Sequence, residues 1–258
     1  MTMRTERSDR WVRAYVDETA VVDSRDALLF WEPVFPIPMY AFPRSDVRSE
    51  ALRPSSAGRP TPTFSGPKGP VSELYDVVVG DRVLEAAAWV RDDPAIADRI
   101  VLSWEPGLFD RWLEEDEEVF GHPRDPYKRV DALPSSRHVE VSIGGTVVAD
   151  SHSPVLLFET HLPTRYYLPR DDVRLDLLTP TDNRSMCPYK GYAEEYWSLE
   201  GVPDADNIAW SYARPFPAVA RVKDRVAFYN ELVDITVDGV LQERPESVFS
   251  KRANRPTS

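Results

Sequence analysis

Apolar and polar residues alternate through Val139-Glu140-Val141-Ser142-Ile143, break at Gly144-Gly145, and resume from Thr146 to Ala149. Strict alternation sends successive side chains to opposite faces of a strand, and paired glycines supply the positive φ of a tight turn, so this stretch predicts a β-hairpin. The apolar run Val155 to Phe158, the segment Tyr166-Tyr167-Leu168, and the stretches Glu195 to Leu199 and Ile208 to Tyr212 predict further strands. One segment has a different period. After Pro215 and Pro217, apolar residues fall at Val219, Val222, Val226, Tyr229 and Val233, spacings of three and four that predict an amphipathic helix about four turns long. Ile235 to Leu241, centred on Asp238-Gly239, predicts a closing hairpin.

The N-terminal half carries the same plan. Val77 to Gly80 and Val83 to Ala86 predict a hairpin, Ala95 to Trp112 is predicted partly helical, and Pro54 to Pro70, rich in Pro, Ser, Gly and Thr, predicts an irregular loop. The likeness extends to residues. Val12–Leu29 matches Val139–Leu156, with Val21-Val22-Asp23-Ser24 against Val148-Ala149-Asp150-Ser151 at an offset of 127. Pro43-Arg44-Ser45-Asp46-Val47-Arg48 matches Pro169-Arg170-Asp171-Asp172-Val173-Arg174 at 126, Lys68-Gly69 answers Lys190-Gly191, and Ala88-Trp89 answers Ala209-Trp210. Anchors in one order with a small drift are what a duplicated domain shows after loops change length. The expected layout is a disordered 1–10, a first repeat over 11–120, a linker over 121–131, a second repeat over 132–243 and a flexible tail over 244–258. The acidic run Glu114 to Glu118 reads as a helix end entering the linker. The fold class expected is mainly β within α+β: two tandem antiparallel domains, each with one C-terminal amphipathic helix.

Charge and cysteine content narrow the function classes. The 258 residues hold 43 Asp and Glu against 31 Lys and Arg, a formal net charge of -12; such a field repels phosphate backbones and anionic membranes. The basic tail residues Lys251, Arg252 and Arg255 are too sparse to reverse this, so neither nucleic acid nor membrane is expected as a partner. Cys187 is the single cysteine, which excludes an intramolecular disulfide and cysteine-paired zinc, and suits a reducing cytoplasm. Neither a signal peptide nor an apolar membrane span stands out.

At Arg165-Tyr166-Tyr167-Leu168-Pro169-Arg170-Asp171-Asp172-Val173 and at Cys187-Pro188-Tyr189-Lys190-Gly191, the chain resembles the domain-of-unknown-function 427 (DUF427) family. Tyr196-Trp197, Ala209-Trp210-Ser211-Tyr212-Ala213-Arg214-Pro215 and Val226-Ala227-Phe228-Tyr229 extend the likeness across the second half, and Trp11 to about Trp112 is similar to a degenerate member. The resemblance implies a compact antiparallel fold of the β-tent type, similar in outline to small zinc-stabilised β domains without their cysteine pairs. It also brings a nucleotidyltransferase label, for which the sequence offers neither a Gly-rich phosphate loop nor paired metal-binding aspartates.

Chemistry concentrates in the second half. Cys187 is a candidate nucleophile: a free thiol titrates near ~8.5, and a cation such as Lys190 or Arg170 nearby would enlarge its thiolate fraction. The plainer reading is a small buried hydrophobe, and Ser65 stands at its place in the first half. Lys190 beside Gly191 suits an anionic ligand, or only a surface turn. Tyr166, Tyr167, Tyr189, Tyr196, Trp197, Trp210 and Tyr212 are too many polar-tipped aromatics to be core alone, so some are expected to line a cleft for a planar or cationic molecule. Arg170 reads as a structural ion pair because Arg44 repeats it, whereas Arg165 faces Pro38 or Met39 in the first half and is the better ligand candidate. Glu159 repeats Glu32 and is a candidate acid–base group or a structural hydrogen-bond partner. The histidines His122, His138, His152 and His161 show no ligand spacing, so no metal or cofactor is expected.

These readings make a small planar or anionic molecule the expected partner, held by Arg165, Tyr167, Arg170, Tyr189, Gly191, Trp197, Trp210 and Tyr212. The alternatives are an enzyme using Cys187, or Lys190 with Glu159, and an interaction module. The two repeats are expected to pack together, leaving residues 132–258 less stable alone than in the whole chain.

Overall fold

Short β-rich segments bounded by turn residues become antiparallel strands in both halves. The computed structural model describes residues 2–33, 35–57 and 65–251, and the chain divides into two units, Met1–Asp125 and Pro126–Ser258. The first unit holds β1 (Arg4–Arg7), β2 (Val12–Val16), β3 (Thr19–Ser24), β4 (Leu28–Trp31), β5 (Pro38–Pro43), β6 (Leu52–Pro54), β7 (Val71–Val79), β8 (Arg82–Arg91), β9 (Arg99–Leu102), β10 (Arg111–Glu114) and β11 (Glu117–Glu118). The second holds β12 (Val130–Pro134), β13 (Val139–Ile143), β14 (Thr146–Ser151), β15 (Val155–Glu159), β16 (Arg165–Tyr167), β17 (Thr179–Thr181), β18 (Ser185–Cys187), β19 (Gly191–Ala193), β20 (Glu195–Ser198), β21 (Ala209–Ser211), β22 (Arg214–Pro215), β23 (Val226–Phe228), β24 (Asp234–Val237) and β25 (Val240–Leu241).

The large and the small sheet follow one strand order in both units, and among the described residues only the second unit adds a three-stranded sheet, β18-β19-β22. In the first unit the large sheet runs β1-β4-β5-β9-β8-β7-β6. In the second it runs β12-β15-β16, continues through the Leu168–Val226 bridge, and ends β23-β21-β20-β17. The small sheets, β11-β10-β2-β3 and β25-β24-β13-β14, match as well. Even the irregularities repeat: one bulge sits at Ala14/Tyr15 and one at Val141/Ser142, where an extra residue sharpens the strand twist. Ser24 donates to Asp46 at 2.7 Å as Ser151 does to Asp172 at 2.6 Å. Each unit has its own apolar core, drawn wholly from its own residues.

Several sequence expectations need correction. Among the described residues there is no α-helix, only short 3-10 turns, so neither repeat ends in an amphipathic helix. Val219, Val222, Val226, Tyr229 and Val233 are all buried, but from a 3-10 turn over Pro217–Val222, strand β23 and the turn beyond it. The valines lose χ1 freedom in a helix and fit a strand, Asp224 takes a left-handed φ of 58°, and β21 offers β23 a backbone partner. Long-range pairing therefore overrides the local period. Ala95 to Trp112 is likewise a turn, β9, a loop and part of β10.

The acidic run is a hairpin rather than a helix end: Glu114 closes β10, Glu117 and Glu118 form β11, and Glu115 turns with φ 53°. Near the start of the chain, Arg4–Arg7 form β1, paired antiparallel with β4. The start of the tail is docked too. Arg244 donates to Asp234, Ser247 caps the turn Val248–Ser250, and the Phe249 ring lies 5.7 Å from that of Tyr229. Residues 252–258, and 58–64 of the expected loop, lie outside the described residues. No helix among the described residues is long and apolar enough to cross a membrane.

Candidate functional site

A β-turn places the chemistry. Lys190 N–H donates to the Cys187 carbonyl at 3.2 Å, closing Cys187-Pro188-Tyr189-Lys190, and Pro188 supplies the fixed φ wanted at the second position. Gly191 follows with φ 99°, and a Cβ there would lie 2.8 Å from the Arg214 carbonyl oxygen. Only glycine allows β19 this approach to β22. Phe216 N–H then donates to Lys190 O at 2.9 Å, anchoring the turn.

The Lys190 side chain points inward, 13% exposed, and its ammonium donates to the Glu159 carboxylate, itself 5% exposed at the end of β15. Lys128 Nζ lies 3.5 Å from the other Glu159 oxygen, so two ammonium groups bracket one carboxylate. Burial disfavours the charge on Lys190, yet Cys187, Glu159 and Tyr167 together outweigh it and hold the pKa above the ordinary lysine value. Tyr167 is fully buried, accepts from Trp210 Nε1 at 3.1 Å, and is pushed up to about 12, chiefly by burial. Burial likewise raises Tyr196, whose hydroxyl meets that of Ser185, and raises Tyr212 well above its usual value. At neutral pH the cluster thus holds a protonated lysine paired with Glu159, beside the half-buried Cys187 and three neutral tyrosine hydroxyls.

Strand register identifies the corresponding positions in the first unit. Ala88 pairs Leu102 and Trp89 pairs Val101, as Ala209 pairs Phe228 and Trp210 pairs Ala227, so Arg91 stands where the second unit has Tyr212. Arg91 forms a two-pronged pair with Glu32, 2.7 and 3.0 Å, with both side chains buried. Its guanidinium lies over Gly69, within 2.3 Å of where a Cβ would be. Lys68 donates its backbone N–H to Glu32 at 3.4 Å and sets its ammonium 4.6 Å from the Phe35 ring centre, and burial lowers its pKa. Tyr167 is replaced by Ala41, which pairs Leu28 as Tyr167 pairs Val155. The Trp89 Nε1–H is buried, and among the described residues it has no hydrogen-bond partner. The sequence profile of DUF427, a domain of unknown function, matches residues 4–112 and again 131–239.

The chain belongs to the DUF427 family. It carries the domain twice, and no match to it is found among curated proteins.

Within the second DUF427 repeat, the sequence-selected side chains divide into groups. Glu159, Tyr167, Cys187, Lys190, Trp210 and Tyr212 come together as described. Tyr189 lies at the turn, half-buried, with Lys128 Nζ 5.9 Å from its ring centre. Arg165 is committed elsewhere: it makes a buried two-pronged pair with Glu231, 2.6 and 2.8 Å, and donates to Asn230 at 3.2 Å. Arg170 pairs with Glu195 at 2.8 Å and covers the buried Trp197 at 5.1 Å, as Arg44 pairs with Glu73 in the first repeat. Tyr167, Tyr196, Trp197, Trp210 and Tyr212 are all buried, so they wall the cluster and fill the core instead of lining an open cleft. A cavity of about 170 Å³ lies apart from the cluster, beside Thr164, Tyr166, Asn230 and Gln242.

Lys128, Glu231 and Arg91 were missed by sequence reasoning. Lys128 fell in the presumed linker, although a lysine two residues before a strand that pairs with the Glu159 strand was a signal. The absence of ligand spacing among the histidines also misled, because β13–β14 pairing brings His138, His152 and Asp150 within 4.8 Å through their ligand atoms.

Proposed function

We propose that the second DUF427 repeat binds a small planar or anionic molecule at the Cys187–Lys190 turn, with the first repeat retained as a supporting domain that cannot bind it. The observation that carries this reading is the contrast at one position of one fold. Where Tyr212 leaves Glu159 to Lys190 and a ring of hydroxyls, Arg91 closes the first repeat with a buried bidentate pair. A polar cluster maintained in one copy and sealed in the other fits recognition better than stability, since buried ion pairs contribute little stability of their own. The half-buried Cys187 and Tyr189 are the exposed rim of that cluster, and Lys128 and Lys190 supply positive charge in an acidic chain. A reducing cytoplasm would keep Cys187 as the thiol.

Acid–base catalysis by Lys190 is the weaker reading, because Cys187, Glu159 and Tyr167 together outweigh burial and keep the lysine protonated at neutral pH, where a base must be free. The test is thermal melting of the whole chain against a panel of planar and anionic metabolites. A binder at a hundredfold excess over its Kd should stabilise the chain by about 2.7 kcal/mol. Tyr212→Arg, which copies the first repeat, should abolish the shift while the variant still melts cooperatively. Cys187→Ser, the first-repeat residue, should retain the fold and reduce the shift. A panel hit that Tyr212→Arg binds equally well would sink the assignment of the site.

A further inference from the structure

The small sheet of the second repeat carries a group of side chains that the proposed site does not use. His138 precedes β13 and His152 follows β14, so pairing of Val139 with Ser151 sets the two histidines opposite each other. Asp150 lies two residues before His152 and therefore on the same face. His138 Nε2 is 2.7 Å from Asp150 Oδ1, and the two imidazoles stack with centres 4.2 Å apart at 13°. The ligand atoms of all three residues lie within 4.8 Å of one another.

From this arrangement we propose that His138, Asp150 and His152 form a binding site for a divalent transition-metal cation of the Zn²⁺ type. Two imidazole nitrogens and one carboxylate oxygen are the donor set that borderline cations prefer over Mg²⁺ or Ca²⁺. Tetrahedral ligands about 2.0–2.1 Å from zinc lie roughly 3.3 Å from each other, so modest side-chain rotation closes the observed spacing, and solvent exposure leaves those rotations free. The backbone beneath is fixed: β13 is held between β14 and β24, and His138 N–H donates to Asp238 at 3.0 Å. Glu140 stands directly across from Asp150; like charges so placed destabilise a sheet, and a bound cation removes that repulsion. Water completes the coordination.

The first repeat supplies an internal comparison. Trp11, Asp23 and Arg25 occupy the three positions. There the Trp11 Nε1–H donates to Asp23 at 2.6 Å, and the Arg13 and Arg25 guanidiniums lie 3.5 and 4.5 Å from the Trp11 ring centre. One carboxylate with an indole and a guanidinium offers no second donor to a cation.

The experiment is calorimetric titration of the full-length chain, carrying Cys187→Ser to remove thiol binding, with Zn²⁺ alone. The site predicts one ion per chain, a rise in melting temperature, and reversal by EDTA. His138→Gln and His152→Gln should each weaken binding on the order of tenfold or more without lowering the metal-free melting temperature, since both rings lie at the surface. Trp11→His with Arg25→His should raise the stoichiometry from one to two. Binding that His138→Gln with His152→Gln leaves unchanged would overturn the proposal, as would failure of the unsubstituted trio to bind Zn²⁺.

Discussion

Arg165 shows how far a residue can be read from sequence and where the reading stops. Its difference from the first repeat is real, since β16 pairs Leu157 with Arg165 where β5 pairs Phe30 with Met39. The difference does not mark a ligand. It marks a buried pair with Glu231, and no pattern along the chain announces a partner 66 residues away. Lys190 and Glu159 were legible because the duplication repeats them; their contact was not, because the turn and β15 meet only in three dimensions. Burial pushes the Glu231 carboxyl up, but its hydrogen bonds and ion pair with Arg165 hold it below the ordinary carboxylate value of 4.5. A carboxyl depressed on folding stabilises the fold fully above that value and loses its contribution as pH falls through the folded pKa. Arg165→Met, which copies the first repeat, strands the buried carboxylate and should lower stability by about 3–5 kcal/mol near neutral pH, measured by chemical denaturation. The deficit should shrink in acid and in the double variant with Glu231→Gln. An equal deficit at all pH values would show that lost packing, not charge, is responsible.

Among the elements, hairpins were legible and helices were not. Alternation with paired turn residues is a local signal, and the hairpin β13–β14 and the closing hairpin β24–β25 form where it appears. The run from Val219 to Val233 satisfied a helical period while lying in a turn, a strand and a second turn, because Val219, Val222, Val226, Tyr229 and Val233 are each buried, from one side or another. When both faces of a short strand are covered, as in β23, apolar spacing ceases to distinguish strand from helix. The β18–β19 hairpin depends on one backbone conformation. Gly191→Ala should destabilise the second repeat by about 1–3 kcal/mol, because φ 99° and the Arg214 carbonyl both exclude the methyl group. The Gly69→Ala change meets a side chain instead, the Arg91 guanidinium. Denaturation curves that leave Gly191→Ala unchanged would show that β19 can back away from β22 without loss.

For the whole molecule, duplication was visible in the sequence and is repeated in the strand order, the bulges and the Ser–Asp and Arg–Glu pairs. What divergence did to each copy was not visible. Arg91 reads on its own as the end of a strand, and its plugging role emerges only when register sets it beside Tyr212. Each core draws on one half alone, so residues 126–258 should fold cooperatively by themselves; starting at 132 would cut into β12. On the proposal that the first repeat supports the second, this fragment should melt below the whole chain, and equal stability would remove that role.

On the proposed function, one polar site is reachable in the second repeat and sealed in the first. Ser65 aligns approximately with Cys187 along the sequence; Cys187 is half-buried and Ser65 is 4% exposed. Native-state alkylation should therefore label Cys187 in the unaltered chain, and a chain carrying Ser65→Cys with Cys187→Ser should react more slowly by on the order of tenfold or more. Equal rates at the two positions, or a Cys187 that reacts only after unfolding, would contradict the account.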